Sequence, residues 1–162
     1  RIEALADRIN RRFSAGTWRP IALLRAHHEP PAIFRWLRAA DVCYVSSLHD
    51  GMNLVAKEFV AARDDERGVL VLSRFTGAAR ELSEALLANP YDLEEASAAL
   101  ATALTMAPAE QAERMRALRA QVADFNVYRW AGRMLSDAAR LRQRDRLASR
   151  LAFGARSLEV VR

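Results

Sequence analysis

Two carboxylates, Asp50 and Glu58, bracket a run of small, apolar and amide residues in the stretch VCYVSSLHDGMNLVAKEFVAAR, Val42 to Arg63. Between them lie Gly51, Met52, Asn53, Leu54, Val55, Ala56 and Lys57. Ahead of them, Val42 to Ser46 reads as a buried strand and Ser47 to Gly51 as a polar turn. A helical pattern runs from Asn53 to Arg63. A helix start after a strand and turn offers unpaired amides, and its dipole favours an anion. In an open parallel sheet this point lies beyond the carboxyl end of a strand, where ligands bind. The amides of Met52 to Val55 would face outward there, and a pyrophosphate could sit on them. Gly51 would let the backbone turn tightly or approach a ligand closely. Glu58 stands five residues past Asn53, about 7.5 Å along a helix. That matches the step from a phosphate to a ribose, whose vicinal hydroxyls suit one carboxylate. Asp50, at the tip, could accept from sugar hydroxyls on the far side of the phosphates. Plainer readings stand beside these. Asp-Gly is an ordinary turn dipeptide, and an early glutamate compensates a helix dipole. Lys57 is the only lysine among 25 basic residues.

The elements that must position this stretch follow from hydrophobic periodicity. Residues 1 to 13 read as a helix with Ile2, Leu5, Ile9 and Phe13 on one stripe. Ile21 to Leu24 reads as a short buried strand, and Ala26 to Pro31 as a loop holding His27, His28 and Glu29. Pro30 and Pro31 open a helix to about Ala40 with Ile33, Trp36 and Leu37 inward. Val69 to Ser73 is a third apolar strand. A helix is expected from Ala78 to Leu87, stopped at Asn89-Pro90-Tyr91-Asp92. Asp92 would cap a helix to about Met106. Pro108 would open the next, to about Asp124. Asn126 would cap a last helix through Trp130 and Leu135 to Leu141. Beyond it, 142–162 reads as a basic tail, poorly patterned until its SLEVV end and either disordered or a further short helix. Trp36, Phe59 and Phe75 are expected in the core, with Trp130 packing the last helix.

Continuously apolar strands alternating with helices imply an α/β fold, a parallel sheet covered on both faces. The C-terminal half is helical. Three strands are few for such a sheet, so the start of the domain is expected to be missing. The chain has 162 residues, 51% of them hydrophobic, about one domain with a real core. No apolar run is long enough to cross a membrane, and no signal-peptide pattern opens the chain. The lone cysteine, Cys43, lies inside a strand and reads as a small core residue, which fits a cytoplasmic setting. The formal charge of +5 suits phosphorylated ligands. Its arginines interleave with acids on many helices and show no RNA-binding aromatic pattern, so no nucleic acid is expected. Only the tail arginines Arg140, Arg142, Arg144, Arg146 and Arg150 favour that alternative. Asp64-Asp65-Glu66 reads as a solvated helix end, and no Asp-x-Asp metal motif occurs.

The string Asp50-Gly51-Met52-Asn53-Leu54-Val55-Ala56-Lys57-Glu58-Phe59-Val60-Ala61 resembles the signature of trehalose-6-phosphate synthases. The likeness continues through Gly68 to Ser73, Phe75 to Ala79, Glu81-Leu82 and Asn89 to Asp92, and into the helix holding Trp130. It covers about residues 1 to 141. These are retaining glycosyltransferases of GT-B architecture, with two Rossmann-like domains. They move glucose from UDP-glucose to glucose 6-phosphate, giving trehalose 6-phosphate and UDP. The resemblance implies that this chain is most of the C-terminal, donor-binding domain, with a partial Rossmann-like sheet. It places Asp50 and the amides of Gly51, Met52 and Asn53 on the donor glucose. It puts the Leu54 and Val55 amides on the diphosphate, with Ala56 and Lys57 in the same donor-binding run, and Glu58 on the ribose. The loop Ala26 to His28 would meet the uracil, with His28 as its contact. His49 stands where relatives often carry arginine.

The implied mechanism is front-face displacement with retention, in which the leaving diphosphate helps deprotonate the acceptor hydroxyl. The protein's work is then orientation and stabilising charge on the leaving group. No metal or other cofactor is expected. Glucose 6-phosphate would bind through the N-terminal domain, which this chain lacks, so the 162 residues alone are expected not to turn over. Self-association into a homo-oligomer stays open. Two rival readings remain. One is a sister transferase with another phosphorylated acceptor, such as a glucosylglycerol-phosphate synthase. The other is a non-catalytic nucleotide-sugar-binding domain.

Overall fold

A computed structural model describes the backbone of residues 1–159 and the side chains of residues 1–145. The chain divides into two compact units, Arg1–Ile33 and Phe34 onward.

In the first unit, α1 spans Ile2–Phe13. The run Ile21 to Leu24 is not a strand. The side chain of Asn10 takes both backbone groups of Ile21, accepting from its amide and donating to its carbonyl, each at 2.9 Å. A backbone bound this way has no ladder to make, and Leu23 and Leu24 are exposed. Glu3 pairs with Arg25. Helix α2, Pro30–Ala39, leads from this unit into the second.

The second unit holds a three-stranded parallel sheet in the order β1 (Val42–Val45), β2 (Val69–Ser73), β3 (Leu86–Ala88). Val42 pairs with Val69 and Val45 with Leu72, while Val71 pairs with Leu86. Strand β2 is central and wholly buried. Successive side chains of a strand point to opposite faces, and the core splits accordingly. Leu70 and Leu72 pack with Phe59 and Val60 of α3 (Leu54–Ala62) and with Met115 and Leu118 of α5 (Pro108–Asp124). Val69 and Val71 pack with Ala103 of α4 (Leu93–Thr105) and with Met106. Helices therefore cover both faces, as the apolar strands imply.

The third strand is a correction. The segment expected as a helix from Ala78 to Leu87 forms a 3₁₀ turn, Gly77–Arg80, and then β3. Its residues are good helix formers, but that preference is worth well under 1 kcal/mol per residue. Pairing along β2 with Leu82 and Ala85 buried outweighs it. The caps behave as read. Asp92 accepts from the Glu94 and Glu95 amides, and Asn126 from those of Tyr128 and Arg129. Helix α6 runs unbroken over Val127–Glu159, so no break follows Leu141. The side chains of Arg146 and Arg150, and residues 160–162 at the SLEVV end, lie outside the described residues.

Phe59 is core, but Trp36 is 46% exposed, Phe75 41% and Trp130 52%. Phe75 instead meets Tyr91 edge to face, with centroids 5.6 Å apart. Burial pushes the Cys43 thiol up to about 11, as its place against the core requires. The acids of Asp64-Asp65-Glu66 are paired rather than simply solvated. Arg38 meets Asp64 and Asp65, and Arg116 meets Glu66. Beside them Arg63 is buried, donating to the carbonyls of Arg38, Ala40 and Arg67. Among the described residues no helix is long and apolar enough to cross a membrane.

Candidate functional site

Beyond the carboxyl end of β1 the chain makes the turn that leads into α3. Asn53 closes it. Its backbone has φ 69°, ψ 89°, in the left-handed half of conformational space. Asparagine tolerates this better than most residues because its short amide bonds locally. The Asn53 side chain does so twice over. Its Oδ1 accepts from the Ala56 amide at 2.9 Å, capping α3. Its Nδ2 donates to Asp50 Oδ2 at 2.9 Å and lies 3.4 Å from Ser47 Oγ. Only 8% of Asn53 is exposed. The conformational demand of the turn therefore falls on Asn53. Gly51 has an ordinary φ, and a Cβ there would meet nothing within 4 Å.

Asp50 is held from the same side. Its Oδ1 accepts from the Met52 amide at 3.1 Å. That bond first, and the Asn53 amide second, hold the Asp50 carboxyl below the usual carboxylate range. The Met52 amide is thus engaged within the loop, and the Ala56 amide is taken by the cap. Leu54 and Val55, the first two residues of α3, are left with amides that have no partner within the helix. The first turn of α3 carries no acid, so the positive end of the helix is not offset there. Glu58 follows one turn later on the less buried side of α3, with Leu54 and Val55. Ala56, Phe59 and Val60 face the core.

A second loop, after β2, braces the first. Asp50 and Thr76 form an isolated parallel bridge. The Asp50 amide donates to the Phe75 carbonyl, the Gly77 amide to the Asp50 carbonyl, and the Ala78 amide to the Met52 carbonyl, at 3.3, 3.0 and 2.9 Å. Gly77 approaches so closely that a Cβ there would overlap the Gly51 carbonyl. Thr76 and Ser73 are buried, with Thr76 Oγ1 donating to the Ser73 carbonyl at 3.0 Å. Lys57 reaches across to Glu81, Nζ to Oε2 at 2.6 Å.

Between the loops lies an open cleft of about 590 Å³. His49, Asp50 and Gly51 form one wall, and Arg74 to Gly77 with Arg80 and Glu81 the other. Arg74 is tied to Glu95 of α4. None of Leu54 to Glu58 lines this cleft; of these residues Leu54 and Val55 are exposed at the start of α3. His28 belongs to the first unit, where it is half-buried in the loop before α2. The arrangement offers fixed hydrogen-bond acceptors at Asp50, two amide donors at the helix start, and a carboxylate one turn on. These suit a ligand with hydroxyls at both ends and an anion between them. The one sign of the bracing loop in the sequence is Gly77-Ala78, set off from the apolar strand by three residues, which a tight helix start explains equally well.

Known proteins match most of the chain. The chain is 43% identical over 145 residues to a trehalose-6-phosphate synthase of Klebsiella pneumoniae, covering 89% of this chain and 31% of that protein. A trehalose-6-phosphate synthase of Burkholderia multivorans superposes with a TM-score of 0.84 at 41% identity, over 91% of this chain and 32% of that one. A structure from Escherichia coli described as bound with UDP-2-fluoro glucose matches at TM-score 0.80 and 43% identity, over 84% and 30%. One from Burkholderia xenovorans in complex with glucose-6-phosphate matches at 0.81 and 45%, over 84% and 30%. The chain spans about three tenths of the length of the curated relatives it matches. The profile of glycosyltransferase family 20 matches residues 1–140, and the chain belongs to that family.

Proposed function

We propose that this chain supplies the nucleotide-sugar site of a retaining glucosyltransferase. In this reading the whole enzyme moves glucose from UDP-glucose to glucose 6-phosphate and releases UDP and trehalose 6-phosphate. The observation that carries it is the braced start of α3. Asp50 is fixed by Met52 and Asn53 beside the open amides of Leu54 and Val55, with Glu58 one turn further.

Asp50 and the backbone of Gly51, Met52 and Asn53 orient the donor glucose. The Leu54 and Val55 amides take the diphosphate, and the helix dipole favours the charge that grows there as the bond to glucose breaks. Ala56 and Lys57 complete that turn, and Glu58 accepts from the ribose hydroxyls. His28 meets the uracil. The diphosphate draws the acceptor proton on the face it leaves, so no protein nucleophile is needed. Glucose 6-phosphate is held by the other domain of a GT-B pair. The enzyme works in the cytoplasm, where nucleotide sugars and hexose phosphates are made.

The test is a titration of the full-length protein with UDP and with UDP-glucose, wild type against Glu58→Ala. Two charge-assisted hydrogen bonds to a ribose predict a loss of about 2–4 kcal/mol for both ligands. Equal affinity in the variant would remove the ribose role.

A further inference from the structure

Lys57 sits where a lysine does a helix no good. It is the fourth residue of α3, near the positive end of the dipole. Its ammonium does not turn outward, for the side chain is only 20% exposed and lies on Glu81 at 2.6 Å. Glu81 ends the 3₁₀ turn Gly77–Arg80, and its neighbour Leu82 is anchored in the core. That turn donates the Gly77 and Ala78 amides to the carbonyls of Asp50 and Met52. The ion pair therefore closes a ring: α3, the loop of Asp50, the 3₁₀ turn, and back to α3.

We infer that Lys57 is a positioning residue that acts through Glu81, holding the first turn of α3 and the Asp50 loop at a fixed separation, and that it does not touch the donor itself. This rests on the donor-site reading above. It separates Lys57 from its neighbours in the same run: Leu54, Val55 and Glu58 meet the ligand, whereas Lys57 keeps them in register with Asp50. Fixed spacing matters because sugar, diphosphate and ribose must be held at once.

Two readings of the full-length protein decide it, each on Lys57→Met, Glu81→Gln, the double variant and Lys57→Arg. The first is amide exchange without ligand. Loss of either partner should speed exchange at Gly77 and Ala78 about fivefold, with the β2 amides unchanged. The second is UDP affinity. Each single variant should weaken it about fivefold, the double variant no further, and Lys57→Arg should restore it to within about twofold. Unchanged exchange at Gly77 and Ala78 overturns the inference whether or not UDP binds. Weaker UDP binding in Lys57→Met but not in Glu81→Gln overturns it too, by making Lys57 a direct ligand. A wild type that binds no UDP removes the donor-site reading alone, and the exchange rates still decide the tether.

Discussion

Gly77 stands against Gly51 with no space for a side chain between them. A Cβ at 77 would overlap the Gly51 carbonyl oxygen and come within 2.9 Å of its carbon. Both obstacles are backbone, so neither can swing aside. The two loops that wall the cleft are one unit at this contact, and the chain that carries Asp50 cannot shift without moving Thr76 and Gly77.

Gly77→Ala should therefore act on the site and on stability together. Overpacking of this kind costs about 1–3 kcal/mol, readable as a lower urea midpoint. The Gly77-to-Asp50 bond should lengthen, and UDP-glucose affinity should fall. Gly51→Ala is the control, since a Cβ there meets nothing within 4 Å. Equal stability of the two variants would contradict the close approach.

Asn53 carries two separable duties, the cap on α3 and the positive φ. Asn53→Ala loses both, for about 1–2 kcal/mol from the cap and about 1–2 kcal/mol from the left-handed backbone. Asn53→Gly keeps the backbone freely and should cost clearly less. Chemical denaturation of both variants checks the order. If the glycine variant is the less stable one, the left-handed turn is wrong.

Asp50 makes the site sensitive to acid. Its carboxyl lies below the ordinary value in the folded chain because of the Met52 amide and then the Asn53 side chain. The unfolded chain therefore takes up this proton first as pH falls. The stability Asp50 lends is present above about pH 4 and is lost as pH drops through its folded value. Asp50→Asn should flatten that part of the acid limb in a series of thermal melts. An unaltered acid limb would mean that the two hydrogen bonds do not persist in solution.

Arg63 is the scaffold's counterpart. Its buried guanidinium collects the carbonyls of Arg38, Ala40 and Arg67 and meets Asp65 at 3.1 Å. Gly68, with φ 83°, leaves room beside it: a Cβ there would come within 3.3 Å of the Arg63 guanidinium carbon. Arg63→Met leaves those carbonyls unpaired and should cost on the order of 3 kcal/mol. The loss should appear in the denaturation midpoint of the full-length protein. A midpoint equal to wild type would mean that water replaces the guanidinium.

Most of the helices could be read directly from the chain. Pro108 at a helix start and Asp92 and Asn126 as caps each act within a few residues of themselves. So does the polar turn between β1 and α3, which located the candidate site. The resemblance to a family signature implies an order for its parts that spacing alone left open.

The errors fall where partners are distant in sequence. Ile21 to Leu24 and Leu86 to Ala88 are both short apolar runs, and periodicity cannot tell a strand from a buried helix segment at that length. Which one joins the sheet depends on what lies beside it. Ile21 found the amide of Asn10, and Leu86 found Val71. Phe75 and Trp36 look like core residues by type, but neither loop nor helix turns them inward.

By itself, then, the sequence determined the local pieces: the strands β1 and β2, of which only β2 is wholly buried, the capped helices, and a helix start flanked by Asp50 and Glu58. The tertiary structure decided the third strand, the bracing of one loop by another, and the pairing of Lys57 with Glu81. The reason is range. Caps and turns are satisfied by neighbours along the chain, while a ladder, a close backbone approach or an ion pair across 24 residues exists only once the chain has folded.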